Sequence, residues 1–444
     1  MSPKDFLINT QKMTDFRPFR AFRYNPGKVD PRKVIAPPYD VISPAEQKRL
    51  YERDPHNCIR LILNAVETGD GDSENAYTRA RDFFNSWTRE GTLIREDAPA
   101  FYLYRQRFPS ANGEELTRIA IIGRLRLEPF ESGVVVPHEN TLAKPVEDRT
   151  RLLKTTQTNL SPIFGLYEDE SNQMTGLIGR YVQEKPIFEV QDDRDIWHGL
   201  WAIGDEVTTD AIRTAMSEKK VYIADGHHRY RTALEYSRQC DGKKAGEELS
   251  PEDFVLMALV AFEDPGMVLL PTHRLLKKIP VSDSKKALEA LQPYFKVESM
   301  APADLTQKLE NEKDENVTRM GLLLGADQGY LLTLEKVDEA IAKMPAGKPD
   351  FWYKLDVNVL AYLVFEQLWD FPPSKWESNL IFTHSTDEAF ERVCDGEAAA
   401  GFFLGAPKVQ ILRDMGKAGE LMPQKSTYFY PKLASGLVFY HHSE

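Results

Sequence analysis

Residues Lys219 to Leu234 constrain this chain more than any other stretch, because one short run specifies a strand, a turn and a helix. Val221 to Ala224 is an apolar β-type run, and Asp225-Gly226 has turn chemistry. Beyond it Tyr230, Ala233, Leu234 and Ser237 recur at helical spacing. The first turn of that helix carries His227, His228 and Arg229. A helix N-terminus exposes unpaired N–H groups and a positive dipole end, an arrangement suited to phosphate. Gly226 permits close backbone approach to a ligand. Arg229 offers a planar fork for phosphate or carboxylate. His227 or His228 can donate a proton or stabilise an oxyanion near neutral pH. A metal reading competes, with His227, His228, His273, His384 and Asp225 as ligands. Adjacent histidines rarely point the same way from a helix, and no HxxxH or HxH pair occurs. A Mg²⁺ held by Asp225 and by substrate phosphates fits better.

Other clusters carry polar chemistry. Glu139 follows an apolar run and Pro137, where a strand end presents a carboxylate as a general base. Lys144 or Arg149, a few residues on, could hold phosphate. Lys425-Ser426-Thr427 has the composition of a phosphate cradle but lacks the Gly-rich loop of a P-loop. Pro37-Pro38-Tyr39-Asp40 makes a rigid turn from which Asp40 could reach a substrate, and His273 is the other substrate candidate.

The chain's 444 residues exceed one ordinary core, so two or three lobes are expected. The texture changes near Pro280, which suggests a region 1–280 holding the Asp225–Arg229 motif and a lobe 281–444. The net charge of −12 argues against a non-specific nucleic-acid binder, whose phosphate contacts need clustered Lys and Arg. Cys58, Cys240 and Cys394 lie far apart with no CxxC, which suits a reducing compartment. No apolar run reaches the roughly 20 residues of a membrane span, and Met1–Thr10 does not read as a signal peptide. A cytoplasmic protein without membrane partners is the expectation, and the oligomeric state is left open.

In chain order, Arg17–Tyr24 alternates like an edge strand, and Val34–Ile42 reads as a strand entering the double-proline turn. Ser43-Pro44-Ala45-Glu46 starts a helix, and Asn57–Leu63 reads as a strand. Glu74–Arg89 is an amphipathic helix stopped by Gly91. Ala100–Phe108 and Leu116–Leu127 form a hairpin around Ala111-Asn112-Gly113. A helix is expected near Arg149–Thr156, strands over Asn159–Tyr167 and Leu200–Val207, and a helix over Asp210–Glu218. Cys240–Ser250 reads as a polar loop, and the wholly apolar Phe254–Phe262 as a central buried strand. Later segments give surface helices over Asp283–Leu291 and Asp304–Glu312, and paired strands at Met320–Gly325 and Tyr330–Glu335. A strong helix, Leu360–Trp369, is capped by Asp356, and β-α-β follows over 381–404. The fold class is mixed, α/β to α+β.

Four motifs in order, Ala36–Ile42, Ala224–Tyr230, Pro271–Arg274 and Met422–Leu433, resemble the bacterial and archaeal domain of unknown function 1015 family over nearly the whole chain. Asp225-Gly226-His227-His228-Arg229 is also similar to the Gly-x-x-Arg signature of the ParB and sulfiredoxin superfamily, whose strand–turn–helix binds nucleotide phosphates. Free-serine kinases of that group carry a near-identical Asp-Gly-His-His-Arg. The resemblance implies a ParB/sulfiredoxin-like nucleotide-binding core plus a C-terminal α/β lobe, with Gly226 and Arg229 on phosphate. His227 stands where sulfiredoxin has its reactive cysteine, which speaks against sulfiredoxin chemistry. The expected function is a nucleotide-dependent phosphotransferase acting on a small hydroxyl metabolite, using ATP or ADP with Mg²⁺. A non-catalytic nucleotide-binding regulator and a nucleotide or phosphodiester hydrolase are the alternatives.

Overall fold

The all-apolar run Phe254–Ala261 is buried at every position and lies inside the principal sheet of the first unit. The computed structural model describes residues 13–110, 112–139, 143–240, 248–311 and 317–443. Residues 1–10, 111, 241–247 and 312, which belong to segments read above, lie outside the described residues. Contacts divide the chain into two units. The first comprises Met1–Pro137, Thr141–Met267 and Pro431–Glu444, and the second His138–Asn140 and Val268–Tyr430.

In the first unit the sheet runs Val135–Val136, Val221–Asp225, Ile163–Tyr167, Phe254–Ala261, Glu115–Arg126, Phe101–Pro109, Trp197–Ile203, Phe188–Gln191, with Phe16–Arg17 also paired to Glu115–Arg126. Two neighbouring pairs are parallel, Val221–Asp225 with Val135–Val136 and Ile163–Tyr167 with Phe254–Ala261; the others are antiparallel. Phe101, Leu103, Ile121, Leu259, Ile223 and Tyr230 belong to one apolar cluster on this sheet. A second cluster gathers Phe22, Val34, Ile59, Leu61, Phe84, Trp87 and Phe439. Burying a Leu, Ile or Phe contributes about 1.5–3 kcal/mol each, so these two clusters supply the main driving force for this unit.

The second unit is built on an antiparallel sheet ordered Phe295–Met300, Gly329–Leu334, Arg319–Leu324, Ala400–Phe403, His273–Leu276, Leu380–Thr383. The expected β-α-β is present as Leu380–Thr383, Thr386–Cys394 and Ala400–Phe403, with His273–Leu276 lying between its two strands. Val268–Leu270 pairs separately with Tyr428–Tyr430. The fold is mixed α/β. No helix among the described residues is long and apolar enough to cross a membrane.

Three local expectations are corrected. Asn57–Leu63 is not a strand, since Ile59–Ile62 is a helical turn. The Asn57 carboxamide accepts from the Ile59 N–H at 2.9 Å, which closes the turn locally, and donates to the distant Ile35 carbonyl. A short apolar run cannot by itself distinguish the two states. Val34–Ile42 is a helical turn, Pro31–Val34, followed by the single β-bridge Ala36–Ser435 and a 3₁₀ turn, Tyr39–Val41. The prolines at 37 and 38 remove the donors a ladder would need. The expected helix is present as Val359–Leu368 and is wound as a π-helix, with the Trp369 N–H reaching the Val364 carbonyl at 2.9 Å. Asp356 does not cap it but accepts from the Gly405 N–H at 2.9 Å.

Candidate phosphate-binding site

Strand Val221–Asp225 leads through Gly226 into helix His227–Cys240, as the apolar run and the turn residues require. Its pairing with Ile163–Tyr167 shifts register between Ile223 and Asp225. Such an irregularity re-aims the side chain at the strand end. Gly226 adopts φ +96°, and a Cβ there would stand 2.8 Å from a guanidinium nitrogen of Arg229. The left-handed backbone calls for glycine, and a side chain there would push the Arg229 guanidinium out of its place.

Arg229 folds back over the turn. One guanidinium nitrogen donates to Asp225 Oδ2 at 2.9 Å, and the other to the carbonyl of Pro162. Lys432 Nζ donates to the second oxygen, Asp225 Oδ1. One carboxylate therefore serves two cations at the foot of a helix N-terminus. All three side chains are largely buried, with 17, 14 and 8% of Asp225, Arg229 and Lys432 exposed. At that depth solvent screens the charges far less than at an open surface.

Nearby, the Arg149 guanidinium stacks on the Tyr39 ring at 4.0 Å and donates to the Ile62 carbonyl at 2.8 Å. Burial raises the Tyr39 hydroxyl pKa, while Arg149 and Arg229 act in the opposite direction. A recess between these groups is lined by Tyr39, Arg149, Ser161, Arg229 and Thr232, with Leu152, Leu160 and Val255 as its apolar wall. Asp40 is exposed beside Tyr39. His227 is 6% exposed and His228 half-buried, both in the first turn of the helix. Lys144 belongs to helix Ala143–Thr156, which also carries Arg149.

The remaining candidates form a separate cluster within the second unit. Glu139 Oε1 accepts from the Ser426 N–H at 3.0 Å, the Thr427 N–H at 3.1 Å and the Thr427 hydroxyl at 3.1 Å. His138 Nε2 lies 2.8 Å from the same hydroxyl. Lys425 takes a left-handed backbone, φ +58°, uncommon for a residue with a side chain. Its carbonyl accepts from Arg274, a buried guanidinium whose pKa burial lowers to about 10. His273 receives the Leu404 N–H on Nδ1 at 3.3 Å and lies 3.2 Å from the Thr386 hydroxyl through Nε2. Burial, helped by Arg274, lowers its pKa to about 4. Among the described residues no group of three or more His, Cys, Asp or Glu is arranged to hold a metal.

A family described as "Protein of unknown function (DUF1015)" matches residues 16–358, and so most of the sequence. The chain belongs to the DUF1015 family. No curated protein matches it. Among solved structures, a conserved hypothetical protein from Pyrococcus furiosus is 14% identical, with 71% of this chain and 92% of that one covered at a TM-score of 0.36. A free serine kinase in complex with AMP is 14% identical over 70% of this chain and 86% of that one, at a TM-score of 0.35. SbnI from Staphylococcus aureus is 9% identical over 71% and 86%, at 0.34.

In this DUF1015 member the structure places Lys432 on Asp225, the carboxylate that also holds Arg229, a contact that no local sequence signal announces. Pro431-Lys432 closes the fourth motif, so it was in view as a pattern. Nothing local ties it to Asp225, which lies 207 residues earlier. Tyr39 was likewise seen only as part of a rigid turn, not as the platform for Arg149.

Proposed function

We propose that this protein is a nucleotide-dependent phosphotransferase that uses ATP or ADP and acts on a small hydroxyl metabolite. The observation that carries the reading is the turn at Gly226, where a left-handed glycine, a helix N-terminus and the Arg229 guanidinium converge. In phosphoryl transfer the protein's work is mostly positioning and charge stabilisation. Gly226 and the first amides of the helix bind phosphate oxygens, and Arg229 clamps them. His227 or His228 stabilises the transferring group. Arg149 adds a cation on the neighbouring helix, and Asp40 with its exposed carboxylate contacts the acceptor. Asp225 aligns Arg229 and is the residue that would hold a Mg²⁺, which would supply charge neutralisation at the phosphates. Within the second unit, Glu139 has the part of a general base, Lys425, Ser426 and Thr427 that of phosphate ligands, and His273 that of a substrate contact.

A thermal-shift series with ATP, ADP, CTP and GTP, with and without Mg²⁺, tests the premise. A nucleotide at about 100 Kd stabilises by roughly 2.7 kcal/mol. No shift with any nucleotide overturns the proposal. Where one binds, turnover with serine and other small alcohols separates a kinase from a nucleotide-binding regulator, and release of inorganic phosphate without an acceptor identifies a hydrolase. Arg229→Ala removes the shift; retained binding would place the site elsewhere.

A further inference from the structure

The segment that brings Lys432 to Asp225 is fastened at several points within the first unit. Arg118 donates to the Pro431 carbonyl, and the Gln106 carboxamide donates to the Lys432 carbonyl at 3.0 Å. Arg118 and Gln106 are also joined to each other, with Arg118 nitrogens 2.5 and 3.2 Å from Gln106 Oε1. Both are 1% exposed, on adjacent strands of the sheet. The Arg118 guanidinium lies 5.1 Å over the Phe164 ring, and Phe164 lines the same recess as Asp225, Arg229 and Lys432. Downstream, Ser435 exchanges backbone hydrogen bonds with Ala36, and its hydroxyl meets Ser161 at 2.8 Å.

Burying a guanidinium costs several kcal/mol unless its donors and charge are well accommodated. Apolar side chains on those two strands would hold the same segment at lower cost. What they would not do is fix two consecutive carbonyls, at 431 and 432, and so fix where the Lys432 ammonium falls. On the nucleotide-phosphate reading given above, we infer that Lys432 is a phosphate-contacting cation of the Asp225–Arg229 site, positioned by the Gln106–Arg118 pair. Before ligand arrives its ammonium is held on Asp225. An entering phosphate competes for the same ammonium, and the lysine turns from the carboxylate to the phosphate oxygens with no movement of its backbone.

Isothermal titration of the full chain with ATP and with inorganic pyrophosphate tests this. Lys432→Met is expected to weaken both ligands at least tenfold, and Lys432→Arg to retain most of the affinity. Gln106→Leu is expected to weaken binding several-fold in the wild-type background and not at all in the Lys432→Met background. A merely structural role for Gln106 would produce the same loss in both. Should Lys432→Met fail to fold, Lys432→Gln and the Lys432→Arg comparison carry the same test. Wild-type affinity in Lys432→Met, with binding abolished by Arg229→Ala, overturns the assignment of Lys432 and leaves the nucleotide reading intact. Absence of binding to the wild-type protein overturns both.

Discussion

Lys432 donates to the carboxylate of Asp225 from 207 residues further along the chain, while the other oxygen of that carboxylate accepts from Arg229 at 2.9 Å. Asp225 is thus the residue on which two cations are aligned. Replacing it with Asn leaves two largely buried cations around a neutral amide. Loss of one partner from a buried ion pair costs on the order of 3 kcal/mol. Asp225→Asn is expected to lower the urea midpoint accordingly, with an unchanged m-value. A variant as stable as the wild type would show that the two cations are satisfied without it.

Gly226→Ala combines two penalties, a left-handed backbone and a Cβ 2.8 Å from Arg229. Backbone strain of this kind costs roughly 1–3 kcal/mol. Arg229→Ala should partly relieve the contact but not the strain, so the double variant is expected to recover only part of the lost stability. Additive losses in a double-mutant cycle would show that Arg229 does not occupy that space.

In the second unit, Glu139 is an acceptor for two backbone amides and a hydroxyl. Glu139→Ala is expected to accelerate hydrogen exchange at Ser426 and Thr427 by tenfold or more, since a charge-assisted bond contributes about 1.5–3 kcal/mol. Unchanged exchange together with lost turnover would point to a purely chemical role for the carboxylate.

His273 sets a pH dependence. Its folded-state pKa is depressed to about 4, against about 6.5 when unfolded. The native state therefore binds fewer protons than the unfolded state between those values, and stability falls as pH falls from 6.5 towards 4. The cause is burial, with Arg274 adding to it, and a proton on Nδ1 would also break the bond from the Leu404 N–H. The full contribution is about 3 kcal/mol. Stability curves of the wild type and His273→Gln should converge towards acid; parallel curves would remove His273 as the cause.

Cys58 is buried against Gly436, whose Cβ position lies 3.0 Å from the Cys58 sulfur, whereas Cys240 and Cys394 are exposed. Burial pushes the Cys58 thiol well up. A thiol reagent is expected to modify two cysteines in the native protein and the third only on unfolding. Three fast equivalents would show that the Cys58 pocket opens readily.

What the residues revealed in advance follows the range of the forces involved. The strand, turn and helix around Gly226 were legible because each signal is local: apolar run, turn dipeptide, helical spacing. Phe254–Ala261 was legible for the same reason, as an unbroken apolar run has few other places to go. The helical turn at Ile59–Ile62 was not, because the side chain of Asn57 both accepts from the Ile59 N–H and ties the turn to backbone more than twenty residues away. Lys432 was hidden by the same logic at longer range. Tyr39 and Arg149 were each visible, yet only the packing of separate elements turns them into a stacked pair.

The route of the chain has a consequence for synthesis. The first unit is interrupted by Val268–Tyr430 and resumes only at Pro431. At about 5–20 residues per second a ribosome needs roughly 10–40 s to travel from Asp225 to Lys432. Through that interval the nascent chain carries Asp225 and Arg229 without the lysine. The first unit therefore acquires its complete set of charges last, after the intervening unit has been made.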